Sequence, residues 1–490
     1  MDAQARAGAS ASDGWFDTTT ALIGGRWVPV AGRLAVEDPS TGEIVGEIAS
    51  GGAAEIDAAA AAARAALSAG WGALDAAERG RLLARIGQRV AAEADRLAAL
   101  EARDVGKPLS QAKADALALA RYLEFYGGAA DKITGETIPF RSGYTVYTLR
   151  EPHGVTGHIV PWNYPMQIVG RSVGAALAMG NACVLKPAEE ASLTCLAFAR
   201  LSAEEGLPPG ALNLVPGTGE EAGAALAGHP GVDHLSFTGS TSTGALVQAA
   251  AARHAVPVTL ELGGKSPQIV FDDADLSAAL PLLVRAGLQN AGQTCSAASR
   301  ILVQRTRMEE VAEAMAAAYR ALRAGPARAD HDLGPLISAR QKAVVEGFLA
   351  RGADLEHLAE GAVADGAPAG GHYLAPRLLA GADPGHVLAR EEIFGPVQLL
   401  MPFDDEEEAV ALANATPYGL VAGVWTQDGG RQMRMARRLR AGQVFLNDYG
   451  AGGGVELPFG GVGRSGHGRE KGFEALYGFS ALKTVAARHG

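Results

Sequence analysis

Cysteine is scarce: Cys183, Cys195 and Cys295 are the only three among 490 residues, too few for a disulfide framework and suited to a reducing, cytoplasmic setting. Basic charge is short as well. Lys and Arg number 43 against 54 Asp and Glu, giving a formal net charge of −11, so no broad positive face is available for nucleic acid or an anionic membrane. No apolar run reaches the ~18 residues of a membrane span: Arg64 breaks the alanine-rich stretch 56–67, and Asn181 interrupts 173–185. The opening MDAQARAGASASDGWFD carries acids and no apolar centre, unlike a signal peptide. Residues 1–20 read as a frayed polar tail. No Cys/His cluster has metal-ligand spacing, which argues against a metal-dependent alcohol dehydrogenase.

What is present suits a globular chain, with 48% hydrophobic and 20% charged residues. At ~150 residues per domain the length allows about three. Residues 23–45 read as short strands and turns. Leu83, Ile86, Val90, Leu97 and Leu100 recur at helical spacing behind a plausible cap at Asp75, and Gly106-Lys107-Pro108 ends that stretch. Another helix is expected over 110–126. Residues 135–152 then alternate at period two, a β excursion too small for a core of its own.

From Gly154 strands and helices take turns: a strand at 155–160, a helix at 165–179, a strand ending at Lys186, a helix from Ser192 to Gly206, and so on to the strand VTLEL. That rhythm predicts right-handed βαβ units and an α/β, doubly wound, mostly parallel sheet. A second α/β block spans about 266–445. Residues 441–479 are glycine-dense, and SALKTVAA reads as a last strand.

Several residues carry candidate chemistry. Cys295 lies in LQNAGQTCSA among small neighbours, whereas Cys183 and Cys195 fit apolar packing better. Glu261 alternates with Leu260 and Leu262 in a strand, where a carboxylate is costly unless paired or used. Asn163 follows a strand and precedes the helix that Pro165 opens. It suits either a helix cap or a donor to a developing oxyanion. Lys186 and Glu189 sit just past a strand end, as a solvated pair or as ribose ligands. Gly239-x-Thr241-x-x-Gly244 offers a helix N-terminus to a phosphate but lacks the middle glycine of the usual fingerprint.

Taken together and in this order, PWNYP, LKPAE, FTGST, LELGGKSP, GQTCSA, EEIFGPV and PFGGVGRSGHGRE resemble the signature set of the aldehyde dehydrogenase superfamily. The likeness runs from about residue 20 to the C-terminus and fits the hydrolytic, NAD(P)-dependent branch best. It implies a cofactor domain (1–133 and 153–263), a catalytic domain (264–463) and an oligomerisation arm (134–152 and 478–490), with a homodimer or homotetramer following. It makes Cys295 the nucleophile, Glu261 the general base, Asn163 an oxyanion donor and Glu470 a second glutamate on a proton path. It assigns Lys186 and Glu189 to the adenosine ribose, Trp162, Gly239 and Ser240 to the pyrophosphate region, and Glu392 and Phe394 to the nicotinamide ribose. NAD is expected over NADP because Glu189 repels a 2′-phosphate.

The substrate is less legible. Tyr164, Ile168 and Arg171 share a helix face that should line the aldehyde channel. Arg171 matches one arginine that grips the carboxylate in succinate-semialdehyde dehydrogenases. The second arginine is Gln289 here, and the family's serine is Gly453. The expected substrate is a bulky or aromatic aldehyde, with Arg171 a rim or subunit-contact charge, or else an ω-carboxy semialdehyde. A CoA-acylating relative would be expected to lack Glu261, and a silent structural relative would be expected to lose the cysteine or a cofactor residue.

Overall fold

The computed structural model describes residues 12–450 and 454–490, so most of the expected tail, and Gly453 in the glycine-rich loop, lie outside the described residues. The frayed reading is corrected for residues 12–20. Trp15 and Phe16 are buried in the main core, Arg96 stacks 3.9 Å from the Trp15 ring, and Asp13 pairs with Arg103. Two adjacent aromatics bury enough apolar surface to dock a segment whose other residues are small and polar.

The chain is α/β and is organised by two large sheets. Across the first, the order is Arg26–Pro29, Thr20–Ile23, Leu212–Leu214, Ala182–Pro187, Val155–Val160, His234–Thr238, Val258–Glu261 and Gly466–His467. The five strands from Leu212–Leu214 to Val258–Glu261 are parallel. Among these five the chain starts at Val155–Val160, winds outward to Leu212–Leu214, and returns to the opposite side at His234–Thr238. The carboxyl ends of Val155–Val160 and His234–Thr238 therefore flank a topological switch point, where open α/β sheets bind ligands.

The second sheet runs Glu356–Glu360, Arg377–Ala380, Val397–Phe403, Arg300–Gln304, Pro267–Val270, Val421–Trp425 and Gln443–Leu446, parallel except at its first pair. A separate three-stranded sheet joins Ser480–Arg488, Tyr144–Pro152 and Thr137–Ile138. Within Tyr144–Pro152, Val146 and Thr148 are buried and Thr145, Tyr147 and Leu149 exposed, the alternation expected from period two.

Local departures have local causes. The long helix expected across 83–100 is two, Ala76–Ala92 and Ala94–Asp104. Asp75 caps the first through a capping box with Glu78. Between the strands Leu212–Leu214 and His234–Thr238 the chain forms a turn of π-helix, Gly219–Gly223, followed by the short helix Ala224–Ala227. Ser192 does not cap Leu193–Glu204 with its hydroxyl, which donates instead to the Ala188 carbonyl. Asp104 accepts from the Leu193 N–H, a long-range cap that local sequence cannot signal.

Candidate active site

A cavity of about 320 Å³ opens at the switch point and extends to Cys295 and Phe394, which precede strands of the second sheet. Its wall brings together Trp162, Asn163, Tyr164, Ile168, Arg171, Gly239, Ser240, Glu261, Gln289, Cys295, Glu392 and Phe394. Of the residues singled out from sequence, Lys186, Glu189 and Glu470 are not in this wall.

The segment carrying Cys295 is bent sharply before it arrives. Asn290, Ala291 and Gly292 have φ of 51°, 53° and 73°, three consecutive left-handed residues between the helix Leu276–Leu288 and the cysteine. For Asn and Ala that conformation costs roughly 1 kcal/mol or more each, and surrounding hydrogen bonds hold it. Asn290 Nδ2 donates to the Asn163 carbonyl (3.0 Å), Gln293 Nε2 to the Asn290 carbonyl (3.0 Å), and the Ile337 N–H to Gln293 Oε1 (2.9 Å). On the far side Tyr449 donates its hydroxyl to the Ser296 carbonyl. Gln293, Asn290 and Tyr449 were not anticipated from sequence. The Asn-Ala-Gly run is the local signal that could have marked a turn there.

Asn163 resolves its two readings. Tyr164 occupies the cap position of the helix Pro165–Ala178, and Asn163 Nδ2 donates to the Gln293 carbonyl at 3.0 Å. It is not the helix cap. A carboxamide nitrogen carries two hydrogens, so the second is left for a partner in the cavity.

Glu261 ends its strand 1% exposed, and neither carboxylate oxygen has a hydrogen-bond partner among the described residues. Burial, then the neighbouring Glu470 carboxylate, push it well above the usual carboxylate range, while Arg171, Arg469 and Lys471 pull the other way. Its surroundings explain some of the glycine density. Gly460 has φ +153°, and a Cβ there would stand 2.7 Å from Glu261 Oε1. A Cβ at Gly263 would meet Glu392 Oε2 at 2.3 Å, and one at Gly264 would meet the Cys295 carbonyl oxygen at 2.3 Å.

Arg171 is neither a rim nor a surface charge. It is 6% exposed, its Nε meets Glu470 Oε2 in a buried ion pair, and its guanidinium lies 4.9 Å over the Phe459 ring. Glu470 Oε1 accepts from Ser236 at 3.0 Å. The cation expected to face substrate is thus balanced from behind.

The other end of the cavity is built from Trp162 and Phe394, edge-on at 5.3 Å, and from Glu392, which accepts from the Gly264 N–H at 3.0 Å. Burial raises Glu392 to about 7, against that hydrogen bond and Lys265. Ser240 caps the helix Thr241–Ala252, accepting from the Thr243 N–H. Lys186 and Glu189 pair at 3.1 Å at the end of the neighbouring strand. Burial opposes charge on Glu189, but Lys186 and hydrogen bonds outweigh it and hold the carboxyl below its ordinary value. Among the described residues no group of three or more His, Cys, Asp or Glu is arranged to hold a metal ion.

Comparison with known proteins decides the family. The aldehyde dehydrogenase family model matches residues 27–485. The chain belongs to that family. It is 38% identical over 478 residues to a hydroxyisobutyraldehyde dehydrogenase of Mycolicibacterium austroafricanum, covering 96% of this chain and 94% of that protein. A crystal structure of a candidate aldehyde dehydrogenase from Burkholderia cenocepacia superposes with a TM-score of 0.95 at 64% identity, covering 96% of this chain and 100% of that one. The NAD+ complex of an aldehyde dehydrogenase from Bacillus cereus gives 0.94 at 37% identity, with 97% of each chain covered. The protein is an aldehyde dehydrogenase, and its fold is that of the family's solved structures.

The electrostatics of this wall predict how its thiol behaves without ligand. Burial pushes Cys295 up to about 12, with Glu392 and Glu261 adding to the rise and Arg171 and Lys471 opposing it. A raised pKa leaves little thiolate at neutral pH. Iodoacetamide labelling of Cys295 should therefore climb steadily from pH 7 past pH 9, while the buried Cys183 and Cys195 stay unmodified. Peptide mass spectrometry reads both, and a labelling plateau at or below pH 8 contradicts the reading.

Proposed function

We propose that the enzyme oxidises an aldehyde to a carboxylic acid with NAD, through a thiohemiacetal and then a thioester on Cys295. The observation that carries this is the convergence of Cys295, Glu261 and Asn163 on one cavity wall. Glu261 accepts the thiol proton and the Cys295 sulfur attacks the carbonyl carbon. The spare Asn163 N–H and the Cys295 backbone N–H stabilise the resulting oxyanion. NAD, when bound, supplies the acceptor for the hydride that the thiohemiacetal carbon gives up. Glu261, after losing its first proton to solvent, takes one from a water that attacks the thioester, and the acid leaves. A buried carboxylate with both oxygens unpartnered is suited to holding that water. Glu470, fixed by Ser236 and Arg171, receives the proton next.

The residues present fit the dinucleotide. Trp162, Gly239, Ser240, Glu392 and Phe394 line the cavity end at the switch point, and a Cβ at Gly239 would already collide with the Phe237 ring at 2.5 Å. Glu189 would accept from the adenosine ribose beside Lys186. In this reading residues 1–133 and 153–263 hold the cofactor, 264–463 carry the catalytic cysteine, and 134–152 with 478–490 form an arm. Tyr147, Leu149 and Leu482 are exposed on that arm and would pack in a homodimer or homotetramer. Three free cysteines suit a cytoplasmic protein.

For the substrate, the balanced charge of Arg171 favours a neutral aldehyde, bulky or aromatic, over an ω-carboxy semialdehyde. The name of the Mycolicibacterium relative, a hydroxyisobutyraldehyde dehydrogenase, adds a hydroxyaldehyde to the panel.

An aldehyde panel followed at the NADH absorbance band, with CoA as a control acceptor, tests the reaction. Glu261→Gln should cut turnover on the order of 100-fold or more, the scale of lost general-base catalysis, leaving at most a slow NADH burst. Near wild-type turnover of that variant contradicts the base assignment. Wild type should use NAD over NADP by about tenfold in kcat/KM, roughly 1.4 kcal/mol; equal efficiency with both removes Glu189 as the discriminating charge. Arg171→Gln should lower kcat for all aldehydes while leaving the ratio of kcat/KM between an ω-carboxy aldehyde and a neutral one of equal length near wild type. A fall of about tenfold in that ratio, the size of a lost charged hydrogen bond, would instead give Arg171 a grip on the substrate carboxylate.

A further inference from the structure

A second chamber adjoins the cavity that holds Cys295. That chamber, about 460 Å³, is lined by Gln111, Asp115, Arg285, Tyr449 and others, and it shares Gln167, Gln289 and Ser296 with the first. Gln167 is the third residue of the helix Pro165–Ala178, four positions after Asn163, and the two line the same cavity wall, so the tail of an aldehyde held at Asn163 has Gln167 within that wall.

Gln167 is held in one orientation by a buried relay. Its Nε2 donates to Asp115 Oδ1 at 2.6 Å. Asp115 Oδ2 pairs with Lys107, whose ammonium also meets Glu101 Oε1 at 2.8 Å and lies 4.1 Å from the Tyr164 ring. Glu101 Oε2 accepts from Thr194 at 3.1 Å. With Lys107 donating to one Asp115 oxygen, the carboxylate is an acceptor on the other, so the carboxamide must present its NH2 there. Flipping Gln167 would set oxygen against oxygen in a buried site. Its Oε1 is left as the acceptor on a side chain that lines both cavities, with no hydrogen bond among the described residues.

The geometry points to Gln167 as the residue that selects the aldehyde's tail: Oε1 accepts a hydrogen bond from a hydroxyl carried a few atoms from the reacting carbonyl. Asp115 and Lys107 are positioning residues that fix which atom of the carboxamide the substrate meets. This rests on the oxidation assigned to Cys295 and deepens it. A hydrocarbon tail of the same length leaves Oε1 without a partner once water is displaced, and sites built to bond a hydroxyl discriminate on that ground.

The test compares 3-hydroxypropanal with butanal, equal in heavy atoms, by kcat/KM at saturating NAD. In Gln167→Met, close in volume and without the acceptor, the ratio of the hydroxyaldehyde to the alkyl aldehyde should fall about tenfold below wild type. In Asp115→Asn the carboxamide is free to turn, and the ratio should fall by about threefold. A purely structural role would lower both aldehydes together and leave the ratio in place. Ratios within about twofold of wild type in both variants, below one hydrogen bond's worth, overturn the proposal while the oxidation itself stands. If wild type forms NADH from neither of these aldehydes but does so from others of the panel, the tail reading falls and the oxidation stands; NADH from no aldehyde at all removes both.

Discussion

The architecture turns on how closely the backbone at residues 263–264 passes the cysteine. The last parallel strand of the first sheet ends in Glu261, the first strand of the second begins at Pro267, and the chain must cross between them in five residues. It does so alongside Glu392 and the Cys295 carbonyl, at separations that leave no room for a Cβ on Gly263 or Gly264. Glu392 fixes the crossing by accepting from the Gly264 N–H. The carboxylate that ends one sheet and the thiol that leads into the other are brought to one cavity by that passage. A side chain at Gly264 would have to push on the Cys295 backbone, and one at Gly263 would have to displace the Glu392 carboxylate that accepts from the Gly264 N–H.

A second constraint follows from placing charge there. Glu261 and Glu470 are both buried, with Arg171 and Lys471 beside them, and Phe459 lies under both cations at 4.9 and 5.3 Å. Two acids and two bases together avoid a net buried charge. Buried ion pairs seldom stabilise a fold outright, since desolvation offsets most of their attraction. Their effect here is orientation. Arg171 cannot swing toward an incoming carboxylate without abandoning Glu470, and that linkage is why a residue that looked like a substrate reader sits as a counter-ion.

Much of this was legible in the residue pattern, because the signals were local. The βαβ rhythm from Val155 onward needs only strand and helix periods. Asp75 with Glu78 is a capping box readable in four residues. The motif around Cys295 announces itself by small neighbours. What was not legible was long-range. Asn163 could be a cap or a cavity donor until Gln293, 130 residues away, took its N–H. The cap on Leu193 comes from Asp104, 89 residues earlier. The partner of Arg171 lies near the C-terminus. The polar composition of residues 12–20 hid two aromatics whose docking depends on Arg96 and on a core formed elsewhere.

The same distinction separates the chemistry of the site from its selectivity. The proposed attack, oxyanion binding and hydrolysis would depend on residues embedded in recognisable motifs, and the family those motifs mark fixes the reaction class. The selectivity proposed for Gln167 depends on which atom of a neutral carboxamide faces the channel, and the chain of contacts that sets this runs four contacts back. Thr194 orients Glu101, Glu101 and Asp115 share Lys107, and Asp115 sets Gln167. Four helices, Ala94–Asp104, Leu109–Ala129, Pro165–Ala178 and Leu193–Glu204, contribute to a relay that never touches Cys295. Because every member is buried and engaged, rotating Gln167 costs the network as a whole and not one hydrogen bond. A channel wall held in this way presents a single hydrogen-bonding polarity to the substrate, whereas an exposed glutamine at the same place would present either.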